Sequence, residues 1–220
     1  KDNGIGIFAS GNTNVTGTLD YNYNGNASKT GMGIVYDKNG VTTNANVNLI
    51  NTTSTTGGMV GLYSTSTGGS TFTNNGNITG TSSALEFGIV SNGNHVTNTG
   101  NITLGNATAQ KNANVGIYSK ASNTTTNDGN IIVGNNAIGI YGYGVENNKL
   151  IQAGDNGTGI YSIGIGSLAG GTPAEDISLN SNSIITVGTN QAVGVYTAGK
   201  GQDIVANTGS KFNIGDNSFG

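Results

Sequence analysis

Short runs of alternating apolar and polar residues, each closed by glycine or asparagine, recur from one end of the chain to the other. The stretch 128–144, DGNIIVGNNAIGIYGYG, contains two such runs. Ile131 to Val133 is a β-branched run that ends at a glycine, and Ile138 to Tyr141 alternates isoleucine with Gly and Tyr. A period of two is typical of β-strands and not of helices. The pattern therefore predicts an all-β chain of short strands joined by sharp turns.

The second run recurs eight times as an anchor, which we define as Gly, then Ile, Leu or Val, then an aromatic residue or Val. The anchor glycines are Gly6, Gly33, Gly61, Gly88, Gly116, Gly139, Gly159 and Gly194, with successive spacings of 27, 28, 27, 28, 23, 20 and 35 residues. A weak Ser/Thr/Asn strand follows each anchor, and an Ile/Val strand such as 131–133 comes next. Repeats of this kind are typical of solenoids. We predict a right-handed parallel β-helix of about eight rungs, with three short strands per rung and about 4.8 Å between rungs.

Strand alternation also predicts which side chains face the interior. We expect the residues on both sides of each anchor glycine to point inward, as at Val115 and Ile117, and the glycine and the aromatic residue to point outward. Thr158 is then the one polar residue among the inward anchor positions. The buried aliphatic residues of successive anchors are expected to stand in register.

Asparagine suits the corners, because it tolerates the left-handed backbone conformation and its amide can hydrogen-bond from rung to rung. The pairs expected to form such stacks are Asn74-Asn75, Asn135-Asn136 and Asn147-Asn148. We assign these a structural role and no chemistry.

Composition narrows the possible functions. The 220 residues include 39 Gly, only 9% charged residues, no Cys and no Arg, and they carry a formal net charge of -3. Without Arg or a basic stripe, nucleic-acid binding is not expected. Without Cys, and with His95 as the one histidine, neither a thiol nucleophile nor a zinc site is expected, and we predict no cofactor or metal. We also expect residues 1–220 to be a single β-helical segment of a longer protein, because repeats occur at both ends.

The repeat units NVGIYS (114–119), GTGIYS (157–162) and TNDGNIIVG (126–134) resemble those in the passenger domains of bacterial type V autotransporters. The chain is most similar to the Gly/Asn-rich fusobacterial adhesins of the RadD type, and the resemblance covers nearly all of it. The resemblance implies a β-helical stalk at the bacterial cell surface, exported through a C-terminal outer-membrane barrel of the same chain that is absent from this sequence. It further implies attachment to a protein or glycan receptor on host cells or other bacteria. It supplies no binding residues.

Three tyrosines on consecutive rungs, Tyr118, Tyr141 and Tyr161, are the candidate ligand contacts on the expected outer face. They belong to an aromatic column that also includes Phe8, Tyr63 and Tyr196 and could stack on sugar rings or contact a protein. The alternative is that these aromatic residues only cover the strand. A second candidate is Glu175 with Asp176, inside an insertion loop expected near 162–182. Another insertion is expected near 20–29, where Tyr21 and Tyr23 would face solvent.

No enzymatic activity is predicted, because the eleven acidic residues are dispersed along the chain and a strand would turn Glu175 and Asp176 to opposite sides. The main alternative function is a carbohydrate-binding or carbohydrate-active β-helix like a phage tailspike. An ice-binding solenoid would need a regular Thr-x-Thr face, which Thr71 to Thr73 and Thr124 to Thr126 do not extend far enough to form. A disordered spacer is the remaining alternative.

Overall fold

The computed structural model describes residues 4–23, 29–50, 57–80, 85–120, 124–162, 176–198 and 202–220. These residues form strands throughout, apart from turns and one short 3₁₀ turn at Gln110–Asn112. The strands are β1 (Ile5–Ala9), β2 (Thr16–Asn22), β3 (Thr30–Tyr36), β4 (Thr42–Ile50), β5 (Gly58–Ser64), β6 (Thr71–Asn74), β7 (Ile78–Gly80), β8 (Glu86–Ser91), β9 (His95–Asn98), β10 (Ile102–Leu104), β11 (Val115–Ser119), β12 (Thr124–Asn127), β13 (Ile131–Val133), β14 (Ile138–Gly142), β15 (Gly144–Asn147), β16 (Leu150–Ala153), β17 (Thr158–Ser162), β18 (Ile177–Leu179), β19 (Ile184–Val187), β20 (Val193–Thr197), β21 (Ile204–Ala206) and β22 (Lys211–Ile214). Among the described residues, no helix is long and apolar enough to cross a membrane.

The strands pair in parallel with their copies one rung away, which confirms the predicted parallel β-helix. Sheet A contains the anchors, in the order β1-β3-β5-β8-β11-β14-β17-β20. Sheet B stacks β2, β4, β7, β10, β13, β16, β19 and β22, and sheet C stacks β6, β9, β12, β15, β18 and β21. Strand β4 belongs to both B and C, because its first residues pair with β6 and its later residues with β7. Among the described residues, three separate strands per rung occur from β5 to β22, so the solenoid has about six turns and the predicted eight rungs were slightly too many.

The interior is built from vertical columns of aliphatic side chains. One column in sheet A pairs its members in register through all eight strands, and each from Ile34 to Ile160 has no exposed surface. Its members are Ile7, Ile34, Leu62, Ile89, Ile117, Ile140, Ile160 and Val195. Each rung thus buries its apolar side chains against the rungs above and below, and ladder hydrogen bonds join the same neighbours. The predicted register of the anchor isoleucines is confirmed.

A ladder of asparagine side chains crosses the interior at the ends of the sheet C strands. The Nδ2 atoms of Asn74, Asn98 and Asn127 each donate to the Oδ1 atom of the next asparagine at 2.8, 3.0 and 2.9 Å, and Asn147 donates to Ser183 Oγ at 2.7 Å. Each Nδ2 also donates to the carbonyl oxygen two residues further along the chain. Rung-to-rung bonding is therefore confirmed for Asn74 and Asn147, but inside the solenoid and not at an outer corner.

The outer corners are also bonded from rung to rung. Asn148 Nδ2 donates to Asp128 Oδ1 at 2.7 Å, and Asn75 Nδ2 donates to Asn44 Oδ1 at 3.0 Å. Asn136 has the expected left-handed backbone, with φ of 55°. The backbone N–H of Asn135 donates to Asn106 Oδ1. The corner roles predicted for these asparagines are confirmed.

The anchor glycines face the interior, so the prediction that they face outward was wrong. A Cβ atom built on Gly116 would lie 2.8 Å from the Ile131 side chain and 2.5 Å from the Gly139 carbonyl oxygen. Ile117, the next residue, is also buried in the core. Two consecutive inward residues break the strict alternation, as a bulge does. The residue before each glycine, Val115 in this anchor, consequently lies on the outer face, and Thr158 is not an inward exception.

The predicted insertions near 20–29 and 162–182 lie largely outside the described residues, and only their flanks can be placed. Residues 20–22 belong to β2, and alternation turns Tyr21 and Tyr23 inward, where each is only 7% exposed. The prediction that they face solvent was wrong. Within 162–182, strand β18 is an ordinary member of sheet C. Residues 24–28 and 163–175, including Glu175, lie outside the described residues.

Candidate interaction face

The outer side of sheet A presents two columns of side chains, which together we call the aromatic face. The first column takes the residue before each anchor glycine, and register places its members directly above one another. They are Ile5, Met32, Val60, Phe87, Val115, Ile138, Thr158 and Val193. The second column takes the last residue of each anchor: Phe8, Val35, Tyr63, Val90, Tyr118, Tyr141, Tyr161 and Tyr196.

Four of the six aromatic residues of the second column form a continuous stack on consecutive rungs, and Val35 and Val90 separate Phe8 and Tyr63 from it. Ring centroids are 5.0 Å apart between Tyr118 and Tyr141, 5.3 Å between Tyr141 and Tyr161, and 4.8 Å between Tyr161 and Tyr196, with interplanar angles of 9°, 6° and 29°. Phe87 of the first column packs edge-on against Tyr118 at 6.1 Å. The predicted aromatic column is therefore confirmed, and it joins the first column laterally.

The stacking of the rings determines which part of each tyrosine side chain faces outward. The nearly parallel rings of Tyr118 and Tyr161 lie on either side of Tyr141 in offset stacking, so each covers part of one face of its ring. What remains outward is the ring edge and the hydroxyl group. Burial between these rings raises the pKa of the Tyr141 phenol, and its tyrosine neighbours add to the shift.

The aromatic face carries no charged residue at any of its sixteen positions. Thr158 is the one non-aromatic polar residue among them. Val35, Val60 and Val115 are buried although they are outside the core cluster, which indicates that larger neighbours in the same columns cover them. Polar residues predominate on the other outer faces: Asp20, Thr103 and Gln152 share one column on sheet B with the exposed Ile132, and on sheet C Ser178 pairs with Glu146 and with the exposed Val205. The aromatic face differs from these faces in that none of its residues is charged.

Asp176 is not part of the aromatic face. It precedes β18 on sheet C, and its Oδ1 atom accepts a hydrogen bond from the backbone N–H of Asp203 at 2.9 Å. This bond joins consecutive rungs, as the corner asparagines do. The structure therefore brings Tyr118, Tyr141 and Tyr161 together but places Asp176 in a different sheet.

The sequence analysis missed the first column, because it assigned those residues to the interior. Thr158 was the available signal: a polar side chain at that position fits an outward column better than a buried one.

Two further features concern possible chemistry. Among the described residues, no three His, Cys, Asp or Glu side chains lie close enough together to hold a metal ion. The fully buried Glu86 packs beside Gly80, with its backbone N–H donating to Asn114 Oδ1 at 2.9 Å.

Comparison with family models, curated proteins and solved structures finds no match to this chain.

Proposed function

We propose that this chain is a segment of a type V autotransporter adhesin, located at the bacterial cell surface and outer membrane, and that it serves attachment and not catalysis. The resemblance of its repeats to RadD-type passenger domains supports the family. The observation that carries the function is the uncharged aromatic face along one side of a rigid parallel solenoid. Contiguous exposed apolar surface on an otherwise polar protein marks interaction sites.

A protein surface fits this face better than a sugar does. Stacking on a sugar ring needs a free aromatic face, whereas Tyr141 has both ring faces against its neighbours. Ring edges with hydroxyl groups give rigid, amphipathic contact area, which protein recognition surfaces use widely. The receptor in this proposal is therefore a protein on a host cell or on another bacterium, and a glycan receptor is the alternative.

The test is adhesion by bacteria that display the chain in its parent protein. Replacing Tyr118, Tyr141 and Tyr161 by serine should reduce adhesion strongly, because the outward apolar edges of the stack are removed. The matched control replaces Thr79, Thr103 and Gln152 of sheet B by serine. Surface display of both variants is measured with an antibody to a distal tag.

Adhesion that survives the tyrosine substitutions with display intact would contradict attachment through this face. A glycan array with the purified chain distinguishes the alternative, since strong glycan signals that disappear in the tyrosine variant would indicate a carbohydrate-binding protein.

A further inference from the structure

The aromatic face presents similar side chains at successive rungs. The distance between rungs limits which ligands can contact the face along its whole length. Neighbouring rungs of a parallel solenoid are about 4.8 Å apart, and the stacked ring centroids are 4.8 to 5.3 Å apart. A ligand that makes the same contact on each rung must share this spacing. Side chains on one side of an extended strand recur about every 6.8 Å, and turns of an α-helix every 5.4 Å. The strand falls out of step with the tyrosines within about two rungs. The helix drifts by only roughly 0.4 Å per rung, but at 3.6 residues per turn its successive side chains also rotate away from the face.

A second copy of the same face has the matching repeat by construction. Two sheets with identical rung spacing can interdigitate their side chains over their whole length, as paired sheets do in steric zippers. Charge does not oppose this contact, although the chain has a net charge of -3, because none of the sixteen residues of the face is charged. The face is therefore complementary to itself in spacing, polarity and charge.

From these observations we infer that the aromatic face pairs with the aromatic face of a second copy of this chain. The inference names a partner for the face used in the proposed function. A closed pair of identical chains has a twofold axis. For two faces in contact this axis lies in the plane of the contact, and an axis at right angles to the rods makes them antiparallel. Greatest overlap of the two four-ring stacks centres the axis between Tyr141 and Tyr161. Tyr141 of one copy then meets Tyr161 of the other.

The size of the face indicates a weak association. The eight strands of sheet A, about 4.8 Å apart, and a strand length of about 16 Å for five residues enclose roughly 600 Å². A standard stable interface buries about 800 Å² on each partner. We therefore expect dimers of the isolated chain at roughly 0.1 to 1 mM, and tighter attachment where many copies face each other on surfaces.

Sedimentation equilibrium of the purified chain and its variants tests the inference. Tyr141→Lys places a charge in the centre of the contact and should raise the dimer dissociation constant about tenfold or more. Gln152→Lys is the matched control, because Gln152 is an exposed residue in sheet B of the same rung, and it should leave the constant unchanged. Circular dichroism checks that both variants fold. A wild-type chain that remains monomeric at about 1 mM, or a dimer that Tyr141→Lys leaves intact, would overturn the inference.

Mixed charges test the antiparallel register. Equal amounts of Tyr141→Lys and Tyr161→Glu chains should associate more tightly than either variant alone, because the Lys of one copy meets the Glu of the other. A mixture of Tyr141→Lys and Tyr161→Lys should show no recovery. Association by chain ends would not respond to these charges, so equal behaviour of the two mixtures would also count against the face-to-face contact.

The failures of the two proposals are distinguishable. Monomeric chains whose bacteria still adhere through the tyrosines would refute self-pairing and leave the adhesin function standing. Chains that dimerise while the displayed protein mediates no attachment would refute the adhesin function alone.

Discussion

At the residue scale, the anchor glycines are required by close packing inside the solenoid. A Cβ atom on Gly139 would lie 2.5 Å from both the Gly159 carbonyl oxygen and the Ile151 side chain. Gly139→Ala should therefore destabilise the chain by about 1 to 3 kcal/mol, as overpacked cores do. Urea unfolding followed by circular dichroism measures this change.

The control for that prediction is three residues away in the same strand. A Cβ atom on Gly142 would have no contact closer than 3.6 Å, and serine occupies the paired position 162 on the next rung. Gly142→Ala should leave the free energy of unfolding almost unchanged. Equal costs for the two substitutions would show that loss of glycine in the strand, and not inward packing, is what matters.

The buried asparagine ladder makes a second prediction at this scale. Asn127→Ala removes a donor to Asn147 Oδ1 and an acceptor for Asn98 Nδ2, both inside the solenoid. Leaving Asn147 Oδ1 without this buried donor should cost roughly 1 to 3 kcal/mol in the same unfolding experiment. Thr126→Ala, on the outer side of the same strand, is the control and should cost less than about 0.5 kcal/mol.

Sequence patterns predicted correctly which residues stack from rung to rung, but less well the side of the sheet to which each residue points. The difference has a physical reason. The isoleucine columns followed from repeat spacing, because each anchor isoleucine must be buried and only in-register stacking buries all of them. The side to which Val115 and Gly116 point depends on a local break in alternation, and a period of two cannot reveal where it breaks. Tyr21 was mistaken for a loop residue, although Leu19, Tyr21 and Tyr23 already alternate as a strand does.

At the element scale, the stacked tyrosines of sheet A affect the ionisation of one another. Burial raises the pKa of Tyr141 above its ordinary value of 10.0, and the phenols of Tyr118 and Tyr161 oppose its ionisation further. The raised pKa means that the folded state favours the neutral phenol. This contribution to stability is complete below the unfolded pKa of about 10 and is lost as the pH rises through the higher folded value.

Alkaline titration of ring-labelled tyrosine by carbon NMR measures this shift. The Tyr141 resonance, assigned by its loss in Tyr141→Phe, should reach half-ionisation above pH 10. In Tyr118→Phe the midpoint should move down towards its ordinary value, because one neighbouring phenolate can no longer form. A Tyr141 midpoint at or below pH 10 in the folded chain would contradict the stacked arrangement.

At the scale of the whole molecule, the solenoid is a linear array in which each rung contacts only its neighbours, so one complete rung can be removed without disturbing the others. Deleting residues 139–158 joins Ile138 to Gly159 and restores the anchor sequence Ile-Gly-Ile-Tyr across the junction. Strands β11, β12 and β13 then meet β17, β18 and β19, which present the equivalent faces.

The shortened chain should keep its β-sheet circular dichroism and lose about 4.8 Å of length by small-angle scattering. Deleting only residues 139–148 is the control, because it leaves part of a rung whose strands have no equivalent partners, and this chain should fail to fold. Since the complete deletion also moves Tyr161 next to Tyr118, it keeps three stacked tyrosines on a shorter rod. Adhesion by the parent protein with this deletion then separates two roles, because contact through the face survives the loss of one rung, whereas a function that depends on reach declines with each rung removed.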